Sequence, residues 1–325
     1  MSKKVKIGFV GTGGIANHHL RQLKEIEDAE IVALCDIVED RVQSAVANYG
    51  GTAYTDYRKM IDEEEMDAMY VCIPPFAHED AEILAAQKGI HLFVEKPVAL
   101  TMDKGIEICE AIEKAGVISC GGYVLRYSPA AVTAKKFLAD KTIAMVACDR
   151  WGGVPGTPWW RVMDESGGQL VEMATHQVDM IRYLAGEVKE VYAKYALRTL
   201  QDMENLTVPD VQAVLMEFES GAIGYISTSC ALVNGGGQGR LEFILKGMRM
   251  IYGGNVPKVV PEGAAEIEPL TEPVLSIDEA FVTAVSTNNP GLITTPYPDA
   301  LRSLDVTLAA NKSAIEGKPI KPVLS

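Results

Sequence analysis

The sequence predicts an α/β protein in two parts, a doubly wound parallel sheet followed by a second domain built on a mixed or antiparallel sheet. Three observations carry this reading. Short β-branched runs alternate with helical patterns as far as about Cys120, and a glycine-rich turn follows the first run. Beyond Gly122 helices become fewer, and longer strand-like runs joined by glycines take over.

The runs of the first part are Val5 to Val10, Glu30 to Cys35, Ala68 to Ile73, Ile90 to Val94 and Val117 to Gly121. Between the last two, Met102, Ile106, Cys109, Ile112 and Ala115 recur at steps of 4, 3, 3 and 3, which predicts one buried stripe on a helix. In the second part the runs are Glu187 to Leu197, Val211 to Phe218, Ala222 to Cys230 and Arg240 to Leu245. Ser220-Gly221, Asn234-Gly235-Gly236-Gly237 and Gly253-Gly254 read as hairpin turns or loops between them. A last helix over about 297–316 stops at Gly317, with Pro319 just beyond.

The 30 basic and 44 acidic side chains leave a formal charge of −14, which argues against nucleic acid or an anionic membrane surface as partner. The six cysteines include no CxxC pair, and Cys35 and Cys72 each end an apolar run. They read as small buried hydrophobes in a reducing compartment rather than zinc ligands or disulfides. The N-terminal MSKKVKIGFVGTGGIA imitates a signal peptide, but glycines interrupt its apolar stretch and it runs straight into Asn17-His18-His19. No segment approaches the roughly 18 apolar residues of a membrane helix. The expected location is the cytoplasm.

Four constellations carry chemistry. Gly11-Thr12-Gly13-Gly14-Ile15-Ala16 is a GxGxxA between a strand and a helix. Its first glycine permits the turn, its second lets backbone approach a pyrophosphate, and Ala16 lets helix and strand pack closely, while the helix N-terminus offers N–H groups to phosphates. Asp36 ends the second strand 20 residues beyond Ala16, where a carboxylate accepts hydrogen bonds from an adenosine ribose. It would repel the 2′-phosphate of NADP, so NAD is favoured, although Arg41 is near enough to turn towards a phosphate.

Ile73-Pro74-Pro75-Phe76-Ala77-His78 lies at the carboxyl end of a strand, where open α/β sheets place ligands, with His78 at a helix start. Val94-Glu95-Lys96-Pro97 sets an acid and a lysine at another strand end, and Pro97 keeps Lys96 out of helical backbone. A desolvated lysine there is suited to proton transfer near neutral pH.

The fourth is Ser166-Gly167-Gly168 through Asp179, in which Glu172, His176 and Asp179 fall within roughly a 40° arc if one helix carries them. Two acids then flank one imidazole, an arrangement suited to proton transfer, and the same spacing fits a metal site or surface pairs. Upstream, Trp151, Trp159, Trp160 and Arg161 lie in a glycine- and proline-rich stretch that reads as a loop. They form either a buried aromatic cluster or an aromatic wall for a sugar or nicotinamide ring, with Arg161 near the phosphates.

Taken together, the glycine fingerprint, PPxxH, EKP and GGxxxExxxHxxD resemble, in order and spacing, the Gfo/Idh/MocA family of glucose-fructose oxidoreductases and inositol dehydrogenases. The resemblance runs from Val5 to Gly317-Lys318-Pro319. It implies a Rossmann domain over 1–122, and over 123–325 a substrate-binding and oligomerisation domain with a large open-faced, mainly antiparallel sheet.

Position by position, the resemblance implies that Gly11, Gly13, Gly14, Ile15, Asp36, Ile73, Pro74, His78, Glu95, Lys96, Gly122, Trp160 and Arg161 line an NAD cofactor. Lys96 and His176 then act on the substrate with Glu172 and Asp179, and Arg126, Glu172 and His176 contact it. No metal is expected. One departure stands out: members with established polyol dehydrogenase activity usually carry Asp in a DxGxH arrangement, where this chain has Glu172, Ala174 and His176.

The implied reaction is hydride exchange between a secondary alcohol of a sugar or cyclitol and the nicotinamide, with His176 or Lys96 as base, in a homodimer or homotetramer. Two other readings are a redox-neutral enzyme in which NAD transiently oxidises a glycoside, and a non-catalytic dinucleotide-binding sensor. Glycoside cleavage without net NADH marks the first, cofactor binding without turnover the second.

Overall fold

The computed structural model describes residues 4–324. In chain order its strands and helices are β1 (Val5–Val10), α1 (Gly14–Lys24), β2 (Ala29–Cys35), α2 (Glu39–Tyr49), β3 (Thr52–Tyr54), α3 (Tyr57–Glu63), β4 (Ala68–Val71), α4 (Ala81–Gln87), β5 (His91–Val94), α5 (Met102–Ala115), β6 (Ser119–Gly121) and α6 (Pro129–Leu138). There follow β7 (Met145–Trp151), α7 (Met163–Ser166), α8 (Gln169–Glu172), α9 (Thr175–Ala185), β8 (Val188–Ala196), β9 (Val211–Phe218), β10 (Ile223–Ser229), β11 (Gln238–Leu245), β12 (Met248–Tyr252), β13 (Lys258–Val260), α10 (Ile277–Ser286) and α11 (Tyr297–Glu316).

The chain divides into two compact units. One ends at Tyr123 and also takes in Leu275–Leu301; the other holds Val124–Val274 and the chain from Arg302 onwards.

The first unit is built on a six-stranded sheet of order β3-β2-β1-β4-β5-β6, parallel throughout. This is the doubly wound order, and its direction reverses beside β1, the strand that leads into the glycine turn. The β1 sequence VKIGFV is apolar on both faces because helices cover both, and only Lys6 is incompletely buried.

Two expectations need correction here. On α5 the buried residues are Gly105, Ile108 and Ile112, whereas Ala115 is exposed and Met102, Ile106 and Cys109 are half-buried. Successive steps of three drift backwards round a 3.6-residue helix, so the proposed stripe wanders off the buried face. Second, a division at 122 leaves Leu275–Leu301 in the second part, but this segment packs into the first unit. Phe281 meets Tyr70 and Phe93 edge-on at 5.5 and 5.7 Å, the Tyr297 hydroxyl donates to the Val98 carbonyl at 3.0 Å, and the Gly121 N–H donates to the Thr295 carbonyl at 2.7 Å.

The second unit contains a seven-stranded sheet of order β13-β12-β11-β7-β10-β9-β8, antiparallel except where β7 meets β10. Along β9, Gln212, Val214, Met216 and Phe218 are buried, and their intervening neighbours are not. Val214, Met216 and Phe218 join Ile226 of β10, Val146 and Cys148 of β7, and Val178 and Ile181 of α9 in one core.

The strand at the middle of this sheet, β7, is not among the expected runs, and Trp151 belongs to its end rather than to a loop. Its sequence MVACDRW carries two charges in succession, which conceals the strand. In the folded sheet Asp149 stands opposite Ser227 and Arg240; the Ser227 hydroxyl donates to it at 2.7 Å and Arg240 pairs with it at 2.6 Å. Among the described residues no helix is long and apolar enough to cross a membrane.

Candidate active site

The glycine turn is set by steric exclusion at one position and open space at the next two. Gly11 has φ 89°, and a Cβ there would lie 2.3 Å from the Cys72 carbonyl oxygen of the neighbouring strand, so only glycine fits. At Gly13 and Gly14 a Cβ would meet no atom within 4 Å. That space lies at the start of α1, an 11-residue helix with no side-chain cap and no acid in its first turn. Its first N–H groups are thereby suited to an anionic ligand, and the loop fits a pyrophosphate. Ile15 beside them is 45% exposed.

Asp36 is more than a strand-end acid. The Thr12 N–H and hydroxyl donate to its Oδ2 at 2.9 and 3.0 Å, and the Val38 N–H donates to Oδ1 at 3.0 Å. Arg41 holds a guanidinium nitrogen 3.3 Å from both oxygens. The carboxylate therefore ties the glycine turn to the end of β2. Burial alone pushes its pKa up, but the Thr12 and Val38 N–H groups, the Thr12 hydroxyl and Arg41 outweigh burial and hold it below 3.8.

The stabilisation from Asp36 is thus present above pH 3.8 and lost as pH falls through the lower folded value. Asp36→Asn is expected to weaken NAD binding roughly tenfold and to relax discrimination against NADP, as read by calorimetry with each nucleotide. In acid unfolding, the stability gap between wild type and this variant should be widest near neutral pH and close below pH 3.8.

Ile73 and Pro74 are half-buried at the end of β4. His78 is not at a helix start: it closes a short 3₁₀ turn, Pro75–Ala77, and precedes α4. Its ring is fully buried and Nδ1 meets the Glu82 carboxylate, which secures the turn to α4, while Nε2 is buried without a hydrogen-bond partner among the described residues.

Glu95 follows β5 and is also buried. Its Oε1 lies 3.0 Å from Nε2 of His19, and its Oε2 accepts the Lys96 N–H at 2.9 Å. A Cβ at Gly122 would come within 2.6 Å of this carboxylate, so that glycine makes room for Glu95. Lys96 itself is half-buried. His19, absent from the residues singled out by sequence, bonds Asp278 Oδ1 at 2.8 Å through Nδ1.

In the second unit the expected single helix is two. α8 ends at Glu172, α9 starts at Thr175, and Ala174 between them has φ −104° and ψ 7°, with its N–H donating back to Gln169. The arc calculated for Glu172, His176 and Asp179 on one helix therefore does not apply. Nor does Asp179 serve His176. Its carboxylate accepts from Arg126 Nε at 2.8 Å and Nη2 at 2.5 Å, and from the Ser303 hydroxyl at 2.8 Å.

Burial pushes the Asp179 carboxyl up against the pull of Arg126, Ser303 and Arg182. Arg126 is 4% exposed, and its guanidinium also lies over the Tyr183 ring at 4.9 Å. Arg126 and Asp179 are thus a buried fork–carboxylate pair that anchors α9. His176, half-buried, occupies the first turn of that helix, and Glu172 is 2% exposed at the end of α8.

The three tryptophans do not form one cluster. Trp159 and Trp160 meet edge-on at 5.7 Å in a 3₁₀ turn, Pro158–Arg161, whereas the Trp151 indole donates to Ser227 on the sheet at 2.9 Å. Arg161 Nε donates to the Pro155 carbonyl at 2.9 Å, which braces the glycine-proline loop. Among the described residues no group of three or more His, Cys, Asp or Glu is placed to hold a metal ion.

Comparison with known proteins assigns this architecture. Residues 5–123 match the model of an oxidoreductase family with an NAD-binding Rossmann fold, and residues 133–249 match that of the GFO/IDH/MocA C-terminal domain. The chain belongs to the Gfo/Idh/MocA oxidoreductase family. It is 31% identical to the myo-inositol 2-dehydrogenase of Thermotoga maritima, over 71% of this chain and 70% of that protein. It is 30% identical to the uncharacterized oxidoreductase YrbE of Bacillus subtilis, over 72% and 70%.

In fold it matches the WlbA dehydrogenase from Bordetella pertussis, solved in complex with NADH and UDP-GlcNAcA. The TM-score is 0.85 at 23% identity, covering 98% of this chain and 99% of the other. The first unit of this Gfo/Idh/MocA protein is accordingly an NAD-binding Rossmann domain, and the seven-stranded sheet of the second is the mainly antiparallel one the resemblance implied.

Proposed function

We propose that the protein is an NAD-dependent dehydrogenase acting on a secondary alcohol of a sugar or cyclitol. The observation that carries the cofactor half is the glycine turn: open space at Gly13 and Gly14, an uncapped α1, and the Asp36 carboxylate fixed at the end of β2 by Thr12. The substrate half is supported by relatives named myo-inositol 2-dehydrogenase, scyllo-inositol 2-dehydrogenase and D-apiose dehydrogenase.

In this reading Gly11 shapes the turn, Gly13, Gly14 and Ile15 present α1 to the pyrophosphate, and Asp36 accepts the ribose hydroxyls and disfavours NADP. Ile73, Pro74 and the Glu95-Lys96 strand end border the nicotinamide half. When bound, NAD supplies the hydride acceptor for the carbinol carbon. His176 takes the hydroxyl proton, and the Lys96 ammonium donates to the oxygen and stabilises its alkoxide character. Glu172, near His176 in sequence and buried, sets the polarity around that base.

The protein would work in the cytoplasm as a homodimer or homotetramer. The face of the seven-stranded sheet that carries Leu215, 59% exposed, and Ile223, 58% exposed, supports assembly there.

The test is near-ultraviolet absorbance of reduced nicotinamide, with NAD or NADP and a panel of inositols, aldoses, ketoses and glycosides. Reduction of NAD by a polyol or sugar is expected, faster than reduction of NADP. Silence with every substrate, while nucleotide binding persists, would sink the dehydrogenase reading.

A further inference from the structure

His19 is among the buried ionisable groups that the mechanism above leaves unused. His19, on α1, is 3% exposed and lies between two carboxylates that come from distant parts of the chain. Nδ1 is 2.8 Å from Asp278 Oδ1 on α10, and Nε2 is 3.0 Å from Glu95 Oε1 after β5. A neutral imidazole has a single N–H and can donate to one carboxylate; donating to both requires the imidazolium. Removing that cation would leave two carboxylates buried near each other, which is costly.

The surroundings agree. Burial alone pulls the His19 pKa down, but the bonds to Asp278 and Glu95 reverse this and lift it to about 9. The Tyr70 hydroxyl donates to Asp278 at 3.0 Å, and its own pKa is raised, so it remains protonated. The Cys72 thiol, raised by burial and by Glu95 and Asp278, is likewise neutral at ordinary pH. The His19 ring packs edge-on against Phe93 at 4.9 Å and tilted on Tyr70 at 5.5 Å, which restricts its orientation.

The consequence reaches Lys96 through one residue. Glu95 uses one oxygen for His19 and the other for the Lys96 N–H at 2.9 Å. Whatever holds the carboxylate therefore holds the backbone from which the lysine side chain departs. We propose that His19 is a positioning residue: as a cation bridging Asp278 and Glu95, it fixes the carboxylate that binds the Lys96 amide, and so fixes the direction of Lys96. The catalytic use of that lysine rests on the proposed function, but the positioning is independent of it and is measurable without substrate.

Two measurements on the full chain test this. In ¹⁵N-histidine NMR, with the His19 ring assigned from its loss in His19→Gln, both ring nitrogens should show imidazolium shifts at neutral pH and titrate near 9. A neutral tautomer there would overturn the proposal. In amide hydrogen exchange, His19→Phe, which keeps an aromatic ring against Phe93 and Tyr70, should lose protection at Lys96 by about tenfold or more, the effect of releasing a charge-assisted hydrogen bond.

Protection at Leu92 and Phe93 of β5 should change far less. Unchanged Lys96 protection in His19→Phe would show that the ring only fills space and would overturn the positioning role. If His19→Phe does not fold, the NMR result on wild type still decides whether the bridging cation exists. Loss of Lys96 protection together with silence in the substrate panel would uphold the positioning and reject only the dehydrogenase reading.

Discussion

His176→Ala and Lys96→Ala should each lower turnover by about 10²-fold or more while NADH binding stays within a fewfold of wild type. The reason is division of labour. The groups assigned to the pyrophosphate and ribose, Gly13, Gly14 and Asp36, lie in the loop after β1, at the start of α1 and in the loop after β2, and do not depend on either side chain. His176 projects from the first turn of α9, which Arg126 and Asp179 hold through a separate set of bonds, so its removal leaves the helix in place. The check is steady-state kinetics with the best substrate from the panel, alongside NADH titration by fluorescence. Near-normal turnover in both variants would remove them from the chemistry, whereas a loss confined to KM would make them binding groups.

Arg126→Ala should destabilise the second unit by about 3–5 kcal/mol, the cost of stranding a buried carboxylate. Asp179 is fully buried and receives two hydrogen bonds from this guanidinium. Ser303 supplies one more, and Arg182 bonds Ser303 in turn while pairing with Glu187 at 2.8 Å, so the whole base of α9 is engaged. Arg126→Lys should recover only part of the loss, because an ammonium cannot reproduce the two-pronged contact. Urea unfolding of wild type and both variants measures it. Unchanged stability with a raised substrate KM would return Arg126 to the substrate-contacting role that the family resemblance implied.

Patterns confined to one stretch of chain were legible in the sequence. The runs Val5–Val10 and Val211–Phe218 coincide with β1 and β9, and the last helix spans Tyr297–Glu316 as its stop signals required. The glycine fingerprint was legible for the same reason: turn, helix start and strand-end acid are each local features, and their spacing alone specifies a βαβ unit. Asp36 was found, yet its bonds to Thr12, which make it a clamp on the glycine turn, were not.

The break between α8 and α9 left no trace either. Met173-Ala174 contains neither glycine nor proline, so nothing local announces that Glu172 leaves the helix that carries His176.

By itself the sequence determined the two-part α/β architecture, the dinucleotide turn and the family, because each follows from hydrophobic period, glycine placement or motif order along a contiguous chain. Only the tertiary structure decided which charges are buried and what they serve. Asp149 is tolerated in the central strand of the second sheet because Arg240 and Ser227, on neighbouring strands, neutralise and bond it. His19 finds Asp278 across 259 residues of sequence, Arg126 finds Asp179 across 53, and Leu275–Leu301 joins the first unit. A buried ion is stable only beside its counter-ion, and that partner is chosen by the fold, at a separation no local pattern encodes.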